Sequence, residues 1–176
     1  MTKKNGLIIV STITTCLLCI SILNIKVTTK QGVNYRVSEH KLPLYLKILN
    51  FYDRHFNYKW LVKKTTGHLN TNDEKVLRLF QWTQDTIHRQ PKNLPVMDDH
   101  VWNVYIRRYG VSANFNDLFS TLCNYIGVNA FFTPLKVQGK PLLYLTFVKS
   151  QKGWVVFDVY NGISFHSNTG DWSTIR

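Results

Sequence analysis

Hydrophobic and polar positions change pattern three times along this chain. From Gly6 to Ile25 the chain runs without a charge, about 20 residues and long enough to cross a bilayer as a helix. The run exceeds the apolar stretch of a usual signal peptide and no small-x-small site follows it, so residues 1–25 are predicted as a short tip and an uncleaved anchor. Residues 26–42 carry scattered charges, Gly32 and no clear period, and read as a basic linker. From Pro43 the spacing becomes helical. Leu44, Ile48, Leu49, Phe51, Tyr52, Phe56, Trp60 and Leu61 predict a helix with Pro43 at its first position, and their aromatic bulk is read as core.

A second helix is announced by Thr71 or Asn72 as cap and by Asp73 and Glu74 in the first turn. Val76, Leu79, Phe80, Thr83 and Ile87 share one face, and Pro91 is the stop. Lys92 to Met97 is a loop, followed by a short helix within Asp98 to Arg108, capped by Asp98 or Asp99. Phe115, Leu118, Phe119, Leu122, Cys123 and Ile126 then form the strongest apolar stripe, stopped by Gly127 where a left-handed cap is needed. One turn before Phe115 stands Ser112, at the helix start, where unpaired N–H groups and the positive end of the macrodipole point. Either a nucleophile or a plain cap belongs there. After Gly127 the pattern changes again, to strands over Ala130 to Val137, Leu142 to Val148, Trp154 to Tyr160 and Ile163 to Phe165. Turns are expected at Gln138-Gly139-Lys140, Ser150 to Gly153 and Asn161-Gly162. Helices followed by an antiparallel sheet predict an α+β domain over residues 43–176, with the tail from Ser167 covering an edge.

Charge sharpens this outline. The net charge is +12, and between Lys26 and Thr65 nine lysines and arginines face only Glu39 and Asp53. A basic segment next to an apolar run suits anionic headgroups; a surface for an acidic ligand is the sharper alternative. Nucleic acid is disfavoured, because the basic residues are spread out with no nucleic-acid module behind them. Basic residues flank both ends of the apolar run, so the positive-inside count leaves orientation open. Cys16 and Cys19 lie in that run and Cys123 stands alone in the globular part, which excludes a disulfide framework there. Asp98, Asp99 and His100 form a small cluster without converging further ligands, so no metal and no cofactor is expected.

The layout resembles the core of the transglutaminase-like, papain-related superfamily. In that family a Gly-x-Cys opens a buried helix, an aromatic follows three residues after the Cys, and a hairpin then carries a His, a Trp and an Asp four residues past the Trp. The matching positions here are Gly110, Ser112, Phe115, Leu143, Trp154 and Asp158. The resemblance implies a thiolate, imidazole and carboxylate at Ser112, Leu143 and Asp158; this chain keeps only the carboxylate. A serine hydroxyl needs a positioned base, and helix-end stabilisation on the order of 1 kcal/mol does not ionise it. The resemblance therefore implies a membrane-anchored pseudoenzyme that binds a peptide, glycan or protein in the old cleft, at Ser112, Asn114, Tyr144 and Trp154. Resemblance to envelope-associated relatives puts the domain outside the cytoplasm, as a binding or scaffolding protein of the cell envelope or of polysaccharide assembly. The alternative is an active acyl-transfer enzyme or hydrolase using Ser112 with a relocated base, His166 before His100 or His88. Cys123 is read as a core residue, and Asp158 either as vestigial or as a cap for the turn at Asn161.

Overall fold

The computed structural model describes residues 3–136, 142–165, 172 and 174–175. It opens with helix α1 (Lys3–Leu23), whose large apolar side chains from Ile8 onward are exposed. Among the described residues no helix is long and apolar enough to cross a membrane, so the fold does not establish the anchor expected over residues 1–25.

The segment read as an irregular linker is instead a hairpin, strands β1 (Lys26–Val33) and β2 (Arg36–Pro43), paired antiparallel from Lys26↔Pro43 to Val33↔Arg36. Its two-residue turn holds Asn34 and Tyr35 at φ 48° and 64°, the left-handed pair that matches the twist of the flanking strands. β2 is exposed along all but its last two residues. β1 half-buries alternate residues, but these are Val27, Thr29 and Gln31, so the face leaves no apolar alternation in the sequence. Gly32 is where a neighbouring backbone comes close: a Cβ there would lie 2.8 Å from the Asp98 Cβ, on the third strand that pairs with β1.

Helix α2 (Leu44–Thr66) begins one residue later than expected, with Pro43 as its N-cap and the Leu44 N–H donating to the Ile25 carbonyl. Its buried residues are Tyr58, Leu61, Val62, Thr65 and Thr66. The aromatic stripe read as core is therefore mostly outside: Phe51, Tyr52, Phe56 and Trp60 are 52–63% exposed. Full burial on α2 is confined to Tyr58 and the residues after it, while the earlier turns touch the fold along one side only, through Lys47 on the Thr28 carbonyl and His55 on Tyr125. Helix α3 (Asn72–Thr86) starts as its sequence foretells. The Thr71 hydroxyl accepts from the Glu74 N–H, and the Glu74 carboxylate accepts from the Thr71 N–H in return. It ends well before Pro91, because His88 and Arg89 are drawn into a short strand, β3 (His88–Arg89).

Strand β4 (Met97–Asp98) completes the hairpin sheet, and helix α4 (Val101–Arg107) follows. Its cap is neither Asp98 nor Asp99. His100 Nδ1 accepts from the Trp102 N–H at 3.1 Å, while Asp99 pairs with Arg107 at 2.6 Å and accepts from Asn103 at 2.9 Å. Arg107 outcompetes the helix end for that carboxylate because a charge-assisted pair is the stronger bond. Strand β5 (Tyr109–Gly110) pairs parallel with β3 and leads into α5 (Ser112–Tyr125), the helix on which α2, α3, α4 and the larger sheet pack.

Phe115, Leu118, Phe119, Leu122 and Cys123 are each at most 2% exposed, which removes roughly 1.5–3 kcal/mol worth of water contact per large side chain. α2, α3 and α4 pack on one side of α5. On the other lies a sheet ordered β10-β8-β7-β6, formed by β6 (Ala130–Leu135), β7 (Leu143–Lys149), β8 (Trp154–Asp158) and β10 (Thr174–Ile175), with β9 (Ile163–Ser164) also on β8. All its pairs are antiparallel, as expected. β10 shows the tail pairing with β8; the turn at Gln138-Gly139-Lys140 lies outside the described residues. Phe80, Phe119 and Phe157 join α3, α5 and β8 through ring centroids 5.2–5.9 Å apart. Gly127, at φ 83°, closes α5, and the Asn124 amide then bonds both backbone groups of Ala130, fixing where β6 begins.

Candidate functional site

The amino end of α5 is built from two constraints. Gly110 is buried against Asn114, where a Cβ would lie 2.7 Å from the Asn114 Cβ, so the position takes only glycine without a shift. Asn114 Oδ1 accepts from the Val111 N–H at 3.0 Å; Val111 is the N-cap and offers no side-chain acceptor back. Ser112 is consequently the first helical residue and half-buried, at the end of the helix where the macrodipole is positive. Among the described residues no imidazole is hydrogen-bonded to the Ser112 hydroxyl. His88 lies exposed on β3 and His100 spends its Nδ1 on capping α4. His166 lies outside the described residues.

The link between α5 and β7 is made by two residues that the sequence reading passed over. Asn116 and Thr146 are both 0% exposed. The Asn116 amide donates to the Ser112 carbonyl at 2.8 Å, and its Oδ1 accepts from the Thr146 hydroxyl at 2.8 Å. Side chains alternate along a strand, so Thr146 and Val148 face α5, and Tyr144 shares their face while Leu143 and Leu145 take the other. A signal for Asn116 exists in the sequence: an amide directly after Phe115, one turn beyond Ser112, in the middle of the most apolar stripe.

Asp158 has a different neighbour from the one its family position implies. Its Oδ1 accepts from the Asn161 N–H at 3.1 Å and its Oδ2 from the Asn161 side-chain amide at 2.8 Å. Of the two roles left open for it, the turn cap is the one the geometry displays. Asn161 Oδ1 in turn accepts from Arg89 at 3.3 Å, and the Arg89 guanidinium lies over the Tyr160 ring, 4.6 Å from its centroid. Tyr160 meets Phe115 edge-on at 5.2 Å. Because Arg89 is paired with Gly110 across β3 and β5, this relay from Asp158 to Arg89 ends beside the start of α5. Asn161 was marked in the sequence by its turn with Gly162, whereas Arg89 and Tyr160 carried no distinguishing pattern, and the place of Arg89 beside Gly110 comes from the parallel β3–β5 pairing.

Tyr144 and Trp154 do not sit together. Trp154 pairs with Lys149, at the far end of β7 from Tyr144, a separation of about 16 Å along the strand at 3.3 Å per residue. The Trp154 ring packs on Phe131 at 5.2 Å with Lys149 over it, whereas Tyr144 leans toward Phe132. Among the described residues no group of acidic, His or Cys side chains is placed to hold a metal. Burial raises the Cys123 thiol pKa far above its ordinary value, which leaves it a packing residue rather than a nucleophile.

The model of the transglutaminase-like superfamily core matches residues 59–159, more than half of the chain and the whole stretch from the buried end of α2 to Asp158. This chain belongs to the transglutaminase-like superfamily. Among solved structures it is similar to one named as a putative cysteine protease from Cytophaga hutchinsonii, with 18% identity and a TM-score of 0.51 over 62% of this chain. A second, named as a putative protease from Parabacteroides distasonis, aligns over 80% of this chain with 10% identity and a TM-score of 0.43. The chain spans 40% of the length of each of these structures. No curated protein matches it.

Proposed function

We propose that this transglutaminase-like domain is a pseudoenzyme that binds a chain-like ligand in the vestigial cleft at the start of α5. The observation that carries the reading is the hydroxyl of Ser112 with no imidazole bonded to it among the described residues, on a helix tied to its sheet by Asn116 and Thr146. In the family mechanism the thiolate attacks, the imidazole carries the proton and the carboxylate orients the imidazole. Here β7 offers Leu143, Tyr144, Leu145 and Thr146 where the base is needed, and the Asp158 carboxylate is engaged by Asn161. Arg89 and the α5 amino end both favour an oxygen-rich group, which suits the carbonyls and carboxylates of a peptide or acidic glycan.

The same proposal places the domain on a membrane, outside the cytoplasm, as a binding or scaffolding component of the envelope. Its support is the exposed apolar surface of α1, where Ile8, Val10, Leu17, Leu18 and Ile20 are 57–62% exposed, together with the basic residues that follow. A helix apolar on all sides is stable only where something other than water surrounds it. The test of the pseudoenzyme reading is fluorophosphonate labelling of the full chain and of Ser112→Ala. No labelling of either is expected; labelling of the parent that disappears in the variant would show a working serine nucleophile and overturn it.

A further inference from the structure

α2 has two faces of opposite use. One buries Tyr58, Leu61 and Val62 in the core. On the opposite side Tyr45, Leu49, Tyr52, Phe56 and Trp60 recur at three- and four-residue spacing, so they line a single stripe. They are 38–63% exposed, a larger unpartnered aromatic face than a water-facing helix carries without a partner. The stripe runs into Lys59, Lys63 and Lys64 at its carboxyl end, and the Lys64 ammonium sits 4.8 Å from the centroid of the Trp60 ring. At the other end α2 is fastened directly to the apolar helix, since its first N–H donates to the carbonyl of Ile25, two residues past α1.

We infer that this face of α2 lies in the headgroup layer of an anionic bilayer, with Tyr52, Phe56 and Trp60 inserted at the acyl boundary and Lys59, Lys63 and Lys64 on lipid phosphates. The inference rests on the membrane placement proposed above and gives it a second, lateral contact. Three observations select lipid over a protein partner. The helix that carries the stripe is bonded at its start to Ile25, itself exposed, directly after the exposed apolar residues of α1. Its aromatics include Trp and Tyr, whose rings have an apolar body and a polar edge suited to the interface. Its flanking charges are all lysines, with Asp53 the lone acid on that side of the helix, and basic-aromatic helices of this composition bind anionic surfaces. A domain held this way is fixed against the bilayer instead of swinging from a tether. The mouth at Arg89 and Ser112 then keeps one orientation to the membrane.

The test uses the full chain with Cys16→Ser and Cys19→Ser, so that a nitroxide placed at Phe56→Cys is the reactive site, Cys123 being 0% exposed. Asp85→Cys on α3, also exposed, is the aqueous reference. The chain is reconstituted with phosphatidylcholine vesicles, with and without phosphatidylglycerol, and collision of the label with oxygen and with a water-soluble nickel chelate is measured. The expected result in anionic vesicles is a several-fold rise in the oxygen-to-nickel ratio at position 56 over position 85. Lys59→Glu, Lys63→Glu and Lys64→Glu together, or omission of phosphatidylglycerol, should reduce that ratio several-fold. A label at 56 that stays as water-accessible as the one at 85 overturns the inference, as does label–label broadening at 56 that is independent of lipid and reveals a second copy on the stripe. Alkaline carbonate washing separates the two readings. A chain that resists the wash but keeps position 56 in water loses only the lateral contact; a chain washed off after showing insertion at 56 loses only the anchor.

Discussion

Changing Thr146 to valine removes one hydroxyl from a fully buried polar pair and leaves side-chain shape nearly unchanged. Asn116 and Thr146 are both 0% exposed, and the Asn116 Oδ1 accepts from the Thr146 hydroxyl at 2.8 Å. After the change that oxygen has no water to turn to, and an orphaned buried acceptor costs about 1–3 kcal/mol. For a domain of this size, about 4 °C per kcal/mol, the midpoint of thermal unfolding should fall by about 4–12 °C. Asn116→Leu takes away the short bond of the Thr146 hydroxyl and leaves it only the longer one to the residue-116 backbone carbonyl, at 3.4 Å. The Ser112 carbonyl loses a donor too, but as a helical carbonyl it remains positioned for the backbone N–H four residues on. Combining both changes removes both orphans, so the double variant should be less destabilised than the sum, with a coupling of about 0.5–3 kcal/mol. Urea and thermal unfolding followed by tryptophan fluorescence measure all four corners of the cycle. Single variants within about 0.5 kcal/mol of the parent, or strictly additive losses, would show that the pair does not hold α5 to β7.

Two further outcomes follow from the same end of the fold. Gly110→Ala sets a methyl 2.7 Å from the Asn114 Cβ, an atom fixed to backbone that cannot swing away, and should cost about 1–3 kcal/mol; an unchanged urea midpoint would refute the close approach. His100 is held below its ordinary pKa, first by burial and then by the Arg54 charge, and it caps α4 through an unprotonated Nδ1. The unfolded chain therefore binds the proton more readily, so stability should fall as pH drops from about 6.5, the ordinary histidine value, through the lower folded value. His100→Asn, which caps without titrating, should flatten that part of the pH–stability curve. A variant curve that keeps the parent's slope there would show that another group is responsible.

What could be read from the sequence is what depends on burial. The α5 stripe, its stop at Gly127, the Thr71–Glu74 start of α3 and the strands around Thr146 and Phe157 each have a face that must avoid water, and that need writes a period into the residues. The hairpin of residues 26–43 escaped because its strands bury almost nothing; only Asn34-Tyr35 and Gly32 marked it, and both marks become informative once the strand that passes Gly32 is known. The α2 stripe misled for the complementary reason. Periodicity reports that aromatic residues share a face, and it is silent on whether protein, water or lipid meets that face. Tyr58, with Leu61 and Val62 on the opposite side of the helix from Tyr52 and Phe56, shows which way the helix turns.

The site divides along the same line. Gly110, Ser112 and Phe115 were legible because a helix start has local requirements: a backbone approach, a first turn and a buried ring. The polar groups around the start of α5 come from four separate places, α5, β7, β3 and the turn after β8, with Asn116 and Thr146 joined 30 residues apart and Arg89 reaching Asn161 across 72. Pairings of that reach leave no spacing to recognise. The polar groups buried at these positions have partners within the fold. In an active relative the carboxylate would be spent on an imidazole, and removing the imidazole would strand a buried charge. Here Asp158 is 5% exposed and Asn161 takes both of its oxygens, so the position stays satisfied without a base. Thr146 supplies the partner that Asn116 needs on β7. With Asp158, Asn116 and Thr146 each paired inside the fold, these buried polar groups are satisfied without an imidazole at position 143.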